Sequence, residues 1–149
     1  MIIDIFLILL WTLMLYFLHR FAHAVPVLRD WHSAHHAQVD ENATGWNWKN
    51  LFLWIDNKES TLDQWAIEIV PTFVFAWLTG AWYIALFYYV WAAFLQEWVE
   101  HNPNIDLPIL TSGKYHLCHH NDQTRNFCVF IPAWDYLFDT YAYHKKSGK

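Results

Sequence analysis

The sequence predicts an all-α integral membrane protein, with an N-terminal transmembrane helix, a central helical hairpin and a histidine-rich cytosolic face. Three observations predict it. Residues 2–18 carry Asp4 as their sole charge and residues 69–96 carry none, and apolar runs of that length read as membrane-embedded helix. All nine lysines and arginines fall outside these runs. Histidines gather in three groups at helical spacing: His19 with His23, His32 with His35 and His36, and His116 with His119 and His120.

The first run (IIDIFLILLWTLMLYFL) is followed by Ala22-His23-Ala24, which imitates a signal-peptidase site. Asp4 in place of a basic n-region argues for an uncleaved anchor, and cleavage would discard His19 and His23. In the loop that follows, GWNWKNLFLWID puts Trp48, Leu51, Phe52 and Ile55 at roughly helical spacing, opposite Lys49 and Asn50. An interfacial helix is expected there, either bordering a lipid entrance or serving as a plain aromatic anchor.

A single helix through residues 66–96 would be about 46 Å long, well beyond a hydrocarbon core of about 30 Å. A break at Thr79-Gly80 gives a hairpin instead, with Pro71 tolerated near the start of its first arm. Charge supports the same topology. Arg20, the loop cations Arg29, Lys49 and Lys58, and those after His101 all belong on the cytoplasmic side by the positive-inside rule. The metal-binding histidines and the C-terminus are therefore expected to face the cytoplasm. Residues 142–149 (AYHKKSGK) read as a frayed basic tail in which His144 is a solvent residue.

The chain has 149 residues, enough for one domain over 1–149, of which 56% are hydrophobic and 20% aromatic. A net charge of −5 and the lack of a basic stripe exclude nucleic acid as a partner. Cys118 and Cys128 lack metal-motif spacing and fall in the cytosolic segment, so no disulfide is expected. No Gly-x-Ser-x-Gly elbow and no Gly-rich dinucleotide fingerprint occurs.

Residues three and four apart share a helix face, so each histidine group aims two or three imidazoles at a common point. With His101 they number nine, more than a four-coordinate ion accepts and enough for two metal ions.

These residues resemble the fatty acid hydroxylase and sterol desaturase superfamily of membrane di-iron oxygenases, over His19 to about Tyr141. Besides the histidines, EHNPNIDLP (Glu100 to Pro108) and NFCVFIPAWDYLFDTY (Asn126 to Tyr141) are similar to that family's later segments. The resemblance implies metal ligands at His19, His23, His32, His35, His36, His101, His116, His119 and His120. It implies two iron ions, with zinc as a substitute in purified protein. Family members often carry a further histidine one turn before the position of His101. Here Glu97 stands there, either as a carboxylate ligand or as a hydrogen-bond partner of a ligand. Asp139 replaces the family's usual glycine. Asp135 and Asp139 are candidate acceptors for imidazole N–H groups, with capping of the tail as the competing role.

The implied reaction is hydroxylation or desaturation of a lipid C–H bond, with the oxidant drawn from dioxygen by the metal pair because side chains cannot supply it. The chain has no room for a redox domain, so electrons come from an external ferredoxin- or cytochrome-type carrier, with Lys145 and Lys146 as a candidate dock. The compact length is also similar to carotenoid ring hydroxylases. A different class of reading is a non-catalytic accessory subunit of a membrane complex, in which eleven tryptophans make partner contacts. The small size fits either a minimal family member or one that works as a homo-oligomer or within a larger complex.

Overall fold

The computed structural model describes residues 1–37, 47–54, 57–107 and 109–142. They are helical, with no strand among the described residues. Helix α1 (Ile2–Ala24) runs six residues further than the apolar stretch and is about 35 Å long. It is long and apolar enough to cross a membrane. It ends because Pro26 forces its predecessor out of the helical region: Val25 is extended, at φ −88° and ψ 121°. Pro26 then opens α2 (Pro26–Ala37) at a position where its missing N–H costs nothing. The bend turns α2 back along α1, so the histidines at the end of one helix meet those of the next.

The expected interfacial helix is a single 3₁₀ stretch, Trp48–Phe52, closed by Leu53 in the left-handed region at φ 54°. Two hydrogen bonds tie it to the hairpin, from Tyr89 Oη–H to the Leu51 carbonyl and from Trp65 Nε1–H to the Leu53 carbonyl. Ile55 lies outside the described residues.

The hairpin's first arm begins earlier than its hydropathy suggests. Asn57 caps α3 (Lys58–Gln64) by accepting from the Ser60 N–H at 2.8 Å. The chain continues through a π-helical segment, Trp65–Ile69, into α4 (Val70–Thr79). The wide turn falls just before Pro71, where an α-helical register would ask proline for an N–H that it lacks. Gly80 (φ 73°) ends this arm at the expected break. The return arm is α5 (Trp82–Val90), a second π segment (Trp91–Leu95) and α6 (Gln96–Val99). Short helices α7 (Lys114–Asn121) and α8 (Ala133–Leu137) follow the 100–113 loop.

Trp11, Leu15, Ile69, Phe75, Ile84 and Tyr88 form the core between α1 and the hairpin, and Trp11 Nε1–H donates to Thr72 Oγ1 at 2.8 Å. The outward faces are apolar too: Ile2, Phe6, Phe73, Trp77, Leu78, Leu86 and Phe87 are exposed. Hydrocarbon solvates such a surface, whereas water does not.

Candidate metal centre

The nine histidines converge at the C-terminal end of α1, and they sort into two groups. His19, His23, His32, His36 and His119 form one cluster, and His35, His101, His116 and His120 form the other; within each, the ligand atoms lie within 4.8 Å of one another. Helix geometry explains the sorting. His32 and His36 are one turn apart on α2 and enter the first cluster, while His35 points to the second. On α7 the allocation is reversed: His116 and His120 enter the second cluster and His119 the first. Two HxxHH motifs thus interleave, and the clusters meet where the His36 and His120 ring centroids are 4.3 Å apart. His101 arrives from the turn after α6. His144, Lys145 and Lys146 lie outside the described residues.

The hydrogen bonds test whether this array fits a cation. His19 Nδ1 lies 2.9 Å from the Phe127 carbonyl and His119 Nδ1 lies 2.6 Å from the Arg125 carbonyl. A carbonyl only accepts, so both Nδ1 atoms carry the proton and both neutral rings leave Nε2 bare. Those two Nε2 atoms are 3.0 Å apart. With no proton to share, two facing lone pairs repel unless a cation lies between them. A second proton on either ring is opposed by burial, which holds His119 at about 4. In the second cluster His120 Nε2 lies 2.9 Å from His116 Nε2 and 3.3 Å from His101 Nε2. The donor set suits iron, zinc or copper, and these residues fit two metal ions.

A model of the family described as "Fatty acid hydroxylase" matches residues 5–140. The chain belongs to the fatty acid hydroxylase family. No match was found among curated proteins or among solved structures.

In this family member the C-terminal segment orients the ligands from behind. Asn126, at φ 57°, donates from Nδ2 to the Tyr115 and Ala142 carbonyls and accepts the Ala142 N–H. Asp135 is fully buried. Its carboxylate accepts the Phe127 and Cys128 N–H groups and the hydroxyls of Tyr115 and Thr140. It therefore acts on His19 through the Phe127 carbonyl, not through a bond to an imidazole. Asp139 is exposed, and its carbonyl takes the Arg125 guanidinium at 3.4 Å. Its φ of 56° is a left-handed conformation that glycine adopts without strain. Cys118 and Cys128 are separate buried thiols.

Two carboxylates were not legible as site residues. Asp63 Oδ2 lies 2.8 Å from His32 Nδ1, both groups being buried. Burial and the nearby Glu100 push Asp63 up to about 8, and a cation on the far nitrogen of His32 would draw it back to the ionised acceptor. Glu100 Oε1 lies 3.8 Å from His116 Nε2. The Glu97 side chain, expected either to ligate a metal or to hydrogen-bond a ligand, lies outside what the structure describes. Burial first, and neighbouring imidazoles second, lower His36 and His120 to about 2 and His32 further still.

A cavity of about 40 Å³ adjoins both clusters on the hairpin side, lined by His35, Asp63, Gln64, Glu68, Glu100 and Ser112 among others. Its size admits water or dioxygen, not a lipid chain. A separate apolar groove of about 440 Å³ runs along the first hairpin arm between Leu53, Trp65, Ile69, Phe73 and Trp77.

Proposed function

We propose that this protein is a membrane di-iron oxygenase that hydroxylates or desaturates a lipid C–H bond, using dioxygen and electrons from a separate carrier. The observation that carries the reading is the convergence of nine imidazoles in two adjacent clusters of five and four, with the facing Nε2 lone pairs of His19 and His119 in the first. The five-histidine cluster holds one iron and the four-histidine cluster the other, and together they supply the oxidising chemistry that no side chain can.

The chain's own residues supply position and dryness. The carbonyls of Phe127 and Arg125 keep His19 and His119 in the tautomer that presents Nε2, and Asp63 does the same for His32. Burial keeps the imidazoles neutral, so at pH 7 each is a ligand and not a cation. The small size of the cavity limits the water that reaches the centre. Apolar outer faces on α1 and the hairpin embed the chain in lipid, and the groove beside Trp65 and Trp77 is where an acyl chain would lie. With the cations of the loop and tail facing inward, the metal centre and C-terminus lie on the cytoplasmic side, within reach of a ferredoxin- or cytochrome-type donor.

The test is metal analysis and Mössbauer spectroscopy of protein made in iron-replete cells, before and after reduction and oxygen exposure, followed by product lipidomics. Two coupled irons that react with oxygen, and an oxygen-dependent modified lipid, are expected. Zinc that persists after anaerobic iron loading, with no lipid product, would overturn the reading in favour of a structural membrane subunit.

A further inference from the structure

The two clusters are unequal, five histidines against four, and Glu100 stands where the difference lies. It closes the return arm of the hairpin one residue before His101, and its carbonyl accepts the Gly113 N–H at 2.8 Å, which pins the 100–113 loop to the start of α7. One carboxylate oxygen is already committed: Oε2 accepts from Gln96 Nε2 at 2.7 Å. Gln96 is itself held, its Oε1 accepting from Gln64 Nε2 at 2.5 Å. That leaves Oε1 directed at the histidines, 3.8 Å from His116 Nε2. The separation is long for a hydrogen bond. It suits two ligands of one ion, which at bond lengths of about 2.1 Å stand roughly 3.0–4.2 Å apart depending on the angle between them.

Charge points the same way. The Glu100 side chain is 14% exposed, and among the described residues the ion pairs give it no lysine or arginine, only His116. A carboxylate withdrawn from water stays ionised only beside a cation or with full hydrogen bonding. Asp63 is placed differently, on the Nδ1 side of His32, where it orients a ligand without reaching the ion.

We infer that Glu100 supplies a carboxylate ligand, through Oε1, to the metal ion of the four-histidine cluster, giving each ion five protein donors. The inference rests on the reading of both clusters as metal sites. It makes the pair chemically unlike: one centre is held by neutral nitrogen alone, and the other carries a negative oxygen donor that favours its higher oxidation state.

The test uses the full chain in detergent micelles, stripped of metal and titrated with cobalt(II), whose d–d bands report coordination number and donor type without any turnover. The unaltered protein is expected to take up two ions per chain. Glu100→Gln should keep the first and bind the second at least tenfold more weakly, with shifted d–d bands. Glu100→His should restore the second ion with a nitrogen-type spectrum, which separates ligation from a structural role. Glu97→Gln is titrated alongside, because the sequence makes Glu97 the competing carboxylate. Unchanged titration and spectra in Glu100→Gln overturn the assignment, as does a weakened second ion that histidine does not rescue. Loss of the second ion in Glu97→Gln alone would overturn it as well. Fewer than two ions on the unaltered chain would instead sink the two-metal reading on which it stands.

Discussion

Asp63 orients His32 from the side away from the ion, so removing its charge should loosen one ligand without deleting a donor. Asp63→Asn is expected to weaken metal binding about 10–100-fold, as outer partners of ligating histidines typically do, measured by competition with a chelator of known affinity. Asp135 is a heavier case. Asp135→Ala strands the buried N–H groups of Phe127 and Cys128 and two hydroxyls, at a cost of about 3–5 kcal/mol by analogy with other buried charged networks. Its thermal midpoint should fall by many degrees. Asp139→Gly should have the opposite sign. At φ 56° a side chain is strained, so the variant is expected to gain up to about 1 kcal/mol in denaturant unfolding. Eight of the nine histidines were legible because imidazoles three and four residues apart must share a face, and His101 was legible through the family resemblance. Asp63 and Glu100 were not, since no local spacing links either one to the histidine that it approaches from another element.

Two glycines of the helical scaffold separate backbone strain from crowding. Gly80 and Gly113 both have positive φ, but a Cβ on Gly80 meets nothing within 4 Å, whereas on Gly113 it would lie 2.3 Å from the Ile105 carbonyl oxygen. Gly80→Ala should cost about 1 kcal/mol and leave the metal centre intact. Gly113→Ala must displace the 100–113 loop, and His101 with it, so it should lose the second-cluster ion. Metal content and thermal midpoint, measured side by side, check the pair. The π segments are another feature of this scale. Apolar composition showed a hairpin and Gly80 its tip, but hydropathy cannot show a five-residue widening of the turn. It is visible only once Pro71 has to be accommodated within a helix that begins at Lys58.

The whole molecule keeps its imidazoles neutral by burying them together. In the metal-free protein the folded values are about 4 for His119 and about 2 for His36 and His120, against 6.5 when unfolded. Between these limits the imidazoles of the unfolded chain bind more protons than those of the folded one, so their contribution to stability is fully present above pH 6.5 and is lost as pH falls toward 4 and below. The metal-free protein should therefore melt at a clearly lower temperature at pH 5 than at pH 7.5. A flat profile over that interval would show that the clusters are open to water.

At this scale the sequence alone determined that the chain is helical, that α1 is apolar enough to span a bilayer, and which eight histidines share helix faces in three groups. Each of these follows from composition or from spacing within a turn or two. Tertiary structure decided how the nine divide into five and four, which carbonyls set their tautomers, and that Asp63 and Glu100 stand beside them. Those relations join residues far apart in the chain, such as His19 with Phe127 and His32 with Asp63. The Val25-Pro26 bend, the closure of the hairpin onto α1 and the packing of the C-terminal segment against Tyr16 bring such residues into contact, and helical periodicity carries no information across a bend or between helices.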